Sequence, residues 1–348
     1  MKKISYQGEK ISIGIDVHKN HYTVCCMSRS VVVHKVTMPA NPTKLLEFIK
    51  KRFKGAEVHT AYEAGFSGYC LHRILLSEGI SNIVVNAGSI EVASRDRVKT
   101  DRRDSLKIAG LLECGRLRGI RVPSIEEEQS RLLHRTREQL VRDRTRVANR
   151  IKMRLYQFGM FVPSRINQKT LDSILYDKDM SYELSYSLGK HISHWKHLNS
   201  EIKENTNLLK KCSESDPLFK IYSSIPGFGI LTSNVLSTEL GDMSQFSNER
   251  ALFSYIGLTP TENSSGDKQI KGHISRQGSS RLRKVLVEAA WTAIRTDPYW
   301  KNEYKSRIVK LGGKKAVVAV ARRLIGVARA LAKSKELYEG QELVLRSA

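Results

Sequence analysis

Two aspartates three residues apart, Asp101 and Asp104, are the first residues of this sequence whose types and spacing indicate chemistry. The apolar residues that follow them predict a helix over 105–119 that ends at a glycine. Because helix positions three and four apart share one face, both carboxylates extend the apolar face of Ile108 and Leu111. Inward-facing carboxylates need a cation or hydrogen-bond partners, since an unpaired buried charge is costly. A divalent metal would meet that need. The alternative is that Asp101 caps the helix and favours its dipole.

Two further acids end predicted strands. Alternating apolar residues predict a strand over 11–17, with Asp16 on the face opposite the isoleucines. A second short strand over 58–63 ends in Glu63 and is followed by a glycine. Open α/β sheets place their chemistry in the loops at strand ends. With the aspartate pair, these acids form a candidate all-oxygen site for Mg²⁺.

The order of the predicted elements indicates a fold. Three consecutive strands are predicted over 11–38, and the turn residues between them favour an antiparallel meander. Helix and strand then alternate over 41–86, which is typical of parallel pairing. This order, closed by the helix at 105–119, is that of the RNase H-like fold. In that fold the first strand, the fourth strand and a later helix bring acids together, which are the elements that carry the acids here.

Composition limits the class of protein. The chain has 348 residues, of which 40% are hydrophobic, so it can form two or three domains with apolar cores. A net charge of +24 favours a polyanionic partner, most simply nucleic acid, with an anionic membrane surface as the alternative. No apolar run approaches a membrane span, and the N-terminus lacks the apolar core of a signal peptide. Five scattered cysteines favour reduced thiols, so we expect a cytoplasmic protein.

The middle of the chain is predicted to be long and helical. Neither proline nor glycine interrupts 126–158, and apolar residues recur there at helical spacing. Nine cations but only two acids lie between Arg131 and Arg154, which favours nucleic-acid backbone contacts over an ordinary solvated charged face. A second helix over 182–211 carries apolar residues at coiled-coil spacing. The two helices indicate an antiparallel or intermolecular coiled coil, and therefore an oligomer.

The last part of the chain combines glycine turns, serines and cations. The turn at 225–230 leads into a helix and resembles a helix-hairpin-helix phosphate grip, although a plain tight turn has the same signature. Ser264 and Ser265 precede a glycine, which is typical of an exposed turn, and no histidine base is evident to activate them. Clustered cations follow, as attack on a phosphodiester would require. The cations predicted to contact nucleic acid are Arg142, Arg146, Arg150, Arg154, Lys268, Lys271, Arg276, Arg281 and Arg283.

Taken in order, these motifs resemble those of the DEDD-type insertion-sequence transposases (insertion sequence family 110), the RNA-guided recombinases sometimes called bridge recombinases. The motifs are GIDVHK at 14–19, YEA at 62–64, KTDRRD at 99–104, IPGFG at 225–229, YIGLTP at 255–260, SG at 265–266 and ISRQG at 274–278. The resemblance covers nearly the whole chain, and the shared order makes it specific. It implies an α/β RNase H-like (RuvC-like) DEDD domain over 1–124 and a helical coiled-coil region over 125–215. A mainly helical transposase domain, with a helix-hairpin-helix-like element and the serine, would occupy 216–348.

The resemblance also implies a mechanism. Mg²⁺ would be held by four carboxylates: Asp16, Glu63, Asp101 and Asp104. Ser265 would attack DNA and form a covalent phosphoserine link. The active form would be a tetramer, a dimer of dimers, in which the carboxylate site of one subunit meets the serine of another. A structured non-coding guide RNA would choose the donor and target DNA by base pairing. The resemblance further implies a prokaryotic protein associated with the nucleoid in the cytoplasm.

The sequence departs from the family pattern at two positions. Ser105 stands where the family often has alanine, and Asp267 stands where it often has a second glycine. Neither change removes a functional group, but Asp267 places an anion near the predicted nucleophile, and Ser264 stays an alternative to Ser265. Two other functions stay open. One is a RuvC-like metal-dependent junction nuclease that uses water, and the other is a non-catalytic basic scaffold that binds nucleic acid.

Overall fold

The computed structural model describes residues 5–86, 88, 90, 101–175, 180–262 and 271–340. The chain divides into two compact units, Met1–Pro123 and Ser124–Ala348. The first is a mixed α/β unit and the second is mostly helical. None of the helices in the described residues combines the length and apolarity that crossing a membrane requires. The boundaries of the three predicted domains stay a prediction.

A five-stranded sheet forms the centre of the first unit, with the strand order β3-β2-β1-β4-β5. Strands β1, β2 and β3 pair antiparallel, whereas β4 pairs parallel to β1 and β5 pairs parallel to β4. This arrangement is consistent with the predicted RNase H-like order. The elements are β1 (Lys10–Val17), β2 (His21–Ser28), β3 (Val31–Pro39), α1 (Pro42–Arg52), β4 (Glu57–Glu63), α2 (Cys70–Ser77), β5 (Ser81–Val85) and α3 (Asp101–Glu113).

The two faces of this sheet differ in chemistry. Ile11, Ile13 and Ile15 are fully buried against apolar residues of α1 and α2, such as Leu45 and Leu75. Because side chains alternate along a strand, the opposite face of β1 carries its small and polar residues. Helix α3 packs on that second face. The hydrophobic pattern of β1 therefore decides which side of the sheet receives the acids.

Helix α3 differs from the prediction at both ends. It begins at Asp101 and ends at Glu113, whereas the sequence predicted a helix over 105–119. The earlier end has a local cause, because Gly115 adopts a φ of +67°, which stops helical hydrogen bonding. Gly119 then forms an isolated bridge with Val85 at the edge of the sheet. The aspartate pair consequently lies in the first turn of the helix.

Two long helices, α5 (Leu132–Gln157) and α7 (Tyr182–Ser213), pack against each other in the second unit. Arg137 Nε donates to Thr206 Oγ1 across 2.7 Å, and Arg144 Nη1 donates to Asn199 Oδ1 across 2.7 Å. These pairs run in opposite chain directions, so the helices are antiparallel, one of the two predicted arrangements. An intermolecular coiled coil stays a prediction. The elements of this unit are α4 (Ile125–Ser130), α5 (Leu132–Gln157), α6 (Gln168–Leu175), α7 (Tyr182–Ser213), α8 (Pro217–Ser223), α9 (Ile230–Leu240), α10 (Glu249–Ile256), β6 (Pro260–Glu262), β7 (Lys271–Ile274), α11 (Ser280–Thr296), α12 (Pro298–Leu311) and α13 (Gly313–Ser334).

Two glycine motifs of the second unit have packing roles. Gly227, in the turn between α8 and α9, has a φ of +86° and lies so close to Ala289 of α11 that a side chain would collide with its carbonyl. The need for glycine there follows from packing, and the predicted phosphate grip stays a prediction. Gly278 likewise lies against the Tyr255 carbonyl. The second contact joins the end of α10 to the segment after β7, across a short antiparallel hairpin that the sequence analysis did not predict.

Candidate active site

Parallel pairing of β1 and β4 brings two of the predicted acids to one edge of the sheet. The register pairs Ile15 with Tyr62, so one residue further Asp16 lies beside Glu63. Both residues point to the face opposite the buried isoleucines, because Ile15 and Tyr62 share the apolar cluster on the other side. Glu63 is exposed at its strand end. Among the described residues, Glu63 is not part of the group of side chains whose ligand atoms lie close enough to share one ion.

A glycine lets α3 approach this face closely. A Cβ atom at Gly14 would lie well under 3.0 Å from two backbone atoms of α3, Ser105 O and Ala109 N. The helix therefore crosses β1 in contact with its backbone, and its first turn lies near the end of that strand. Asp101 and Asp104 are half-buried there, as their spacing predicts.

The carboxylates are close enough to perturb one another. Burial is the largest cause that raises the pKa of Asp16, and the negative charges of Asp101 and Asp104 raise it further. The charge and hydrogen bond of His18 oppose that increase. A partly buried carboxylate with two more negative charges near it favours a bound cation, which is the physical reason to expect a metal here.

Two histidines complete the site, and the sequence analysis had not assigned them a role. His18 Nε2 lies 3.1 Å from Asp16 Oδ2 and 3.3 Å from Asp101 Oδ2, so it bridges the two aspartates. His21 Nε2 lies 3.4 Å from Asp101 Oδ2, and the two imidazole rings stack with their centroids 4.7 Å apart. Burial acts to raise the pKa of Asp101, but the hydrogen bond from His21 and the charge of His18 outweigh it and lower the pKa. The sequence does contain a feature that could have indicated their role, because two histidines three residues apart follow Asp16 at the turn between the first two strands.

The donor set fits a divalent metal. One ligand atom from each of His18, His21 and Asp101 lies within 4.8 Å of the others, a spacing that a single ion could bridge. The His18 imidazole occupies the space between two carboxylates in the way that a cation would. Carboxylates suit Mg²⁺ or Mn²⁺, whereas imidazole ligation favours iron, nickel, copper or zinc. Asp16 and Asp101 could therefore bind the metal directly, with His18 as a ligand or as a hydrogen-bond donor to them.

The predicted cations of α5 divide into paired and unpaired groups. Arg142 donates to Glu138 Oε1 across 2.7 Å, and Arg146 donates to Asp143 Oδ1 across 2.8 Å, so both acids of this stretch are engaged. Within the described chain, neither Arg150 nor Arg154 makes a salt bridge with a carboxylate. Burial lowers the pKa of His191, and the charges of Arg150 and Arg154 lower it further. This end of α5 therefore presents uncompensated positive charge.

Two of the predicted cations, Arg281 and Arg283, make contacts that hold the second unit together, and their contact with nucleic acid stays a prediction. Arg281 donates to Glu138 Oε2 across 2.6 Å and to Glu239 Oε1 across 3.3 Å. Arg283 donates to the carbonyls of Ile256 and Gly278, at 2.9 and 3.0 Å. Their side chains connect α11 to α5, α9 and the end of α10. These contacts account for both arginines without a nucleic acid.

Of the remaining predicted site residues, the side chain of Arg276 is described by the structure and those of the others are not. Arg276 is exposed with a φ of +56° at the base of the β6–β7 hairpin, where its N–H donates to the Gly257 carbonyl. Ser264, Ser265 and Lys268 lie outside the described residues, as does the side chain of Lys271. Their predicted roles stay predictions.

Comparison with known proteins identifies the family. A family model for the DEDD transposase of IS110 elements, described as a transposase, matches residues 13–160. A second model, described as the transposase IS116/IS110/IS902 family, matches residues 220–305. The first match covers the predicted carboxylate site, and the second covers the segment with the predicted serine.

Curated relatives agree with these matches. A putative transposase of Sinorhizobium fredii, y4qE, is 30% identical over 245 residues, and the match covers 69% of this chain and 59% of that protein. A second one, y4rJ, is 30% identical over 296 residues, covering 76% of this chain and 74% of that protein. The transposase for insertion sequence element IS1533 of Leptospira borgpetersenii is 27% identical over 298 residues, with 81% of this chain and 85% of that protein covered. The chain therefore belongs to the IS110 family of DEDD transposases.

Proposed function

We propose that this chain cleaves and rejoins DNA at the ends of an insertion sequence, with a divalent metal and a serine nucleophile. The observation that carries the proposal is the convergence of Asp16 and Asp101 on His18 at the end of the first strand. Glu63 and Asp104 complete the proposed carboxylate set, and Ser265 is the proposed nucleophile. Mg²⁺ is the proposed ion, because carboxylates with phosphate oxygens form its preferred environment.

The metal ligands, the histidines and the serine have separate roles in the proposed reaction. When bound, the metal would neutralise charge on the scissile phosphate and lower the pKa of the attacking hydroxyl. Asp16 and Asp101 would hold that charge in place, with Asp16 oriented by its hydrogen bond to His18 and Asp101 by its hydrogen bond to His21. A bond forms between Ser265 Oγ and phosphorus, one phosphorus–deoxyribose oxygen bond breaks, and the serine proton passes through solvent to the leaving oxygen. The phosphoserine ester keeps the phosphodiester energy, so rejoining needs no ATP.

Covalent adducts test the nucleophile. End-labelled DNA from the element's terminus, incubated with protein and Mg²⁺, should migrate with the protein on a denaturing gel. Ser265→Ala should abolish this species, and Ser264→Ala, the matched control one residue away, should retain it. The reverse pattern would assign the attack to Ser264.

Asp16→Asn tests the carboxylate site. Because the substitution keeps the shape of the side chain, loss of cleavage at an unchanged melting temperature without Mg²⁺ would reflect charge and not folding. We expect no adducts and no increase in melting temperature on adding Mg²⁺. Cleavage at the wild-type rate would refute the proposed site and favour a non-catalytic scaffold.

A metal-dependent nuclease that uses water is the second candidate. The observation that favours it is that the Asp16–Asp101–His18 cluster lies wholly within the first unit, so metal chemistry there requires no serine. A nuclease of this kind predicts nicked products with free ends in Ser264→Ala and Ser265→Ala. It also predicts no protein–DNA adduct in the wild type or in either serine variant.

We also propose that the active protein is a tetramer that binds a guide RNA. The net charge of +24 and the uncompensated Arg150 and Arg154 support a polyanion bound by its backbone, with sequence selection left to base pairing. RNA that is transcribed from the element's non-coding end should co-purify with the protein and alter its mass in light scattering. Arg150→Ala/Arg154→Ala should weaken this association, and Arg142→Ala, whose charge Glu138 already compensates, should weaken it less.

A further inference from the structure

A polar cavity lies beside the carboxylates, on the same face of the first-unit sheet. Its volume is about 370 Å³, and it lies between the first turn of α3 and strands β2 and β3. Its lining residues are Thr23, Val24, Lys35, Val36, Thr37, Arg102 and Ser105. Three hydroxyls and two cations surround it, and none of the carboxylates that the structure describes lines it. The cavity therefore has the chemistry of an anion site.

Strand register relates this cavity to the acids. Asp16 pairs with Thr23 across β1 and β2, and Thr23 pairs with Thr37 across β2 and β3. Directly paired residues point to the same face, so a row of side chains runs from Glu63 through Asp16 to the two threonines. Neighbouring strands are about 4.8 Å apart, which places Thr37 roughly 10 Å from Asp16 along this row. The carboxylates and the cavity thus occupy consecutive positions on one surface.

The two cations of the cavity are not compensated by acids. Lys35 and Arg102 are exposed, and within the described residues neither makes a salt bridge with a carboxylate. Arg142 and Arg281, by contrast, are held by Glu138. Unpaired cations beside hydroxyl donors bind phosphate oxygens, because charge-assisted hydrogen bonds are stronger than neutral ones.

The third hydroxyl belongs to Ser105, one of the two departures from the family pattern. Its side chain is buried, and Ser105 Oγ donates to Arg102 O across 3.3 Å. That distance is long for an O–H···O bond, so the hydroxyl can exchange this acceptor for a ligand oxygen at little cost. Alanine at this position would remove one donor from the cavity.

We propose that this cavity holds a backbone phosphate of the DNA strand, next along the strand to the phosphate that the carboxylates act on. Lys35 and Arg102 pair with its charge, and Thr23 and Thr37 donate to its oxygens. The site rests on the proposed DNA chemistry and adds to it a means of fixing the strand's register. A strand held at two phosphates is oriented as well as bound, which favours in-line attack.

Neutral phosphate analogues test the site by equilibrium binding. Single methylphosphonates are placed at successive positions of a labelled duplex from the element's end, and affinity is measured in EDTA, so no cleavage is needed. In the wild type, one position beside the scissile phosphate should weaken binding about five- to tenfold. In Lys35→Ala/Arg102→Ala, the methylphosphonate at that position should weaken binding by less than about twofold, because the cations that pair with this phosphate are absent. Ser105→Ala should give a smaller loss at that position only.

Lys44→Ala is the matched control, since Lys44 is an exposed cation on α1, against the other face of the sheet. It should retain the wild-type position dependence. The salt slope of affinity should fall by about one in Lys35→Ala/Arg102→Ala, and it should not fall in Ser105→Ala, which removes no charge. Melting temperatures should stay at the wild-type value in Lys35→Ala/Arg102→Ala and in Lys44→Ala, because all three side chains are exposed. Intact DNA binding with no coupled phosphate would overturn this site alone. Failure of the wild type to bind the duplex would overturn it together with the proposed function.

Discussion

Gly14→Ala is the substitution that tests how the acids are brought together. A Cβ atom at this position would lie well under 3.0 Å from the Ser105 carbonyl oxygen and the Ala109 nitrogen of α3. Both are backbone atoms, so no side-chain rotation can relieve the collision. Reaching ordinary contact at 3.4 Å requires the helix or the strand to shift by about 1 Å.

The shift has two measurable consequences. Overpacking of this kind costs about 1–3 kcal/mol of unfolding free energy. The first turn of α3 carries Asp101, so the same shift moves a carboxylate away from Asp16 by about 1 Å, and misplacement on that scale can reduce a rate by about 100-fold. We therefore expect a moderate loss of stability together with a much larger loss of cleavage.

The assay combines urea unfolding with single-turnover cleavage of labelled DNA. Gly110→Ala is the matched control because it lies on the same helix. Its new Cβ would have Met27 Sδ at 3.8 Å, an ordinary contact. Alanine is the better helix former by about 1 kcal/mol, so this control should unfold at equal or higher urea and cleave normally. If Gly14→Ala unfolds and cleaves like the wild type, α3 does not depend on this close approach, and the reasoning is refuted.

Three further predictions concern burial and charge. His134 is buried, and burial lowers its pKa to about 4 from 6.5. As the pH falls below 6.5, the unfolded chain binds a proton at this histidine and the native state does not. The free energy of unfolding should therefore drop by about 3 kcal/mol towards pH 4. In urea titrations at several pH values, His134→Phe should show a weaker dependence of this free energy on pH. Leu155→Ala should destabilise the second unit by about 2–5 kcal/mol in thermal unfolding, whereas Met153→Ala, on an exposed position of the same helix, should change it by under about 0.5 kcal/mol. Removing Mg²⁺ with EDTA should lower the melting temperature of the wild type and leave that of Asp16→Asn unchanged, and an equal decrease in both would contradict binding at these carboxylates.

Local patterns were enough to predict the architecture of the first unit. The alternation in β1 identifies the buried isoleucine face, and therefore the face on which Asp16 lies, because a strand repeats every two residues. The three-residue spacing of Asp101 and Asp104 likewise predicts a shared helix face. Both inferences use only neighbours in sequence, for which backbone geometry alone decides the direction of a side chain.

Charge patterns were less informative about the cations of the second unit. Arg281 and Glu138 are 143 residues apart in the chain, and nothing in the local sequence relates them. The same holds for Arg283, whose acceptors are the backbone carbonyls of Ile256 and Gly278. A run of cations in a sequence does not separate those that face solvent from those that join helices.

For the first unit, the sequence by itself determined the order of strands and helices along the chain, the faces that they bury and the strand-end positions of Asp16 and Glu63. These properties depend on periodicity and on turn residues, which act over a few neighbouring positions. Only the tertiary structure decided that His18 bridges Asp16 and Asp101 and that a polar cavity adjoins them. Those features depend on how closely α3 approaches the sheet, and a distance between elements far apart in the chain is set by packing.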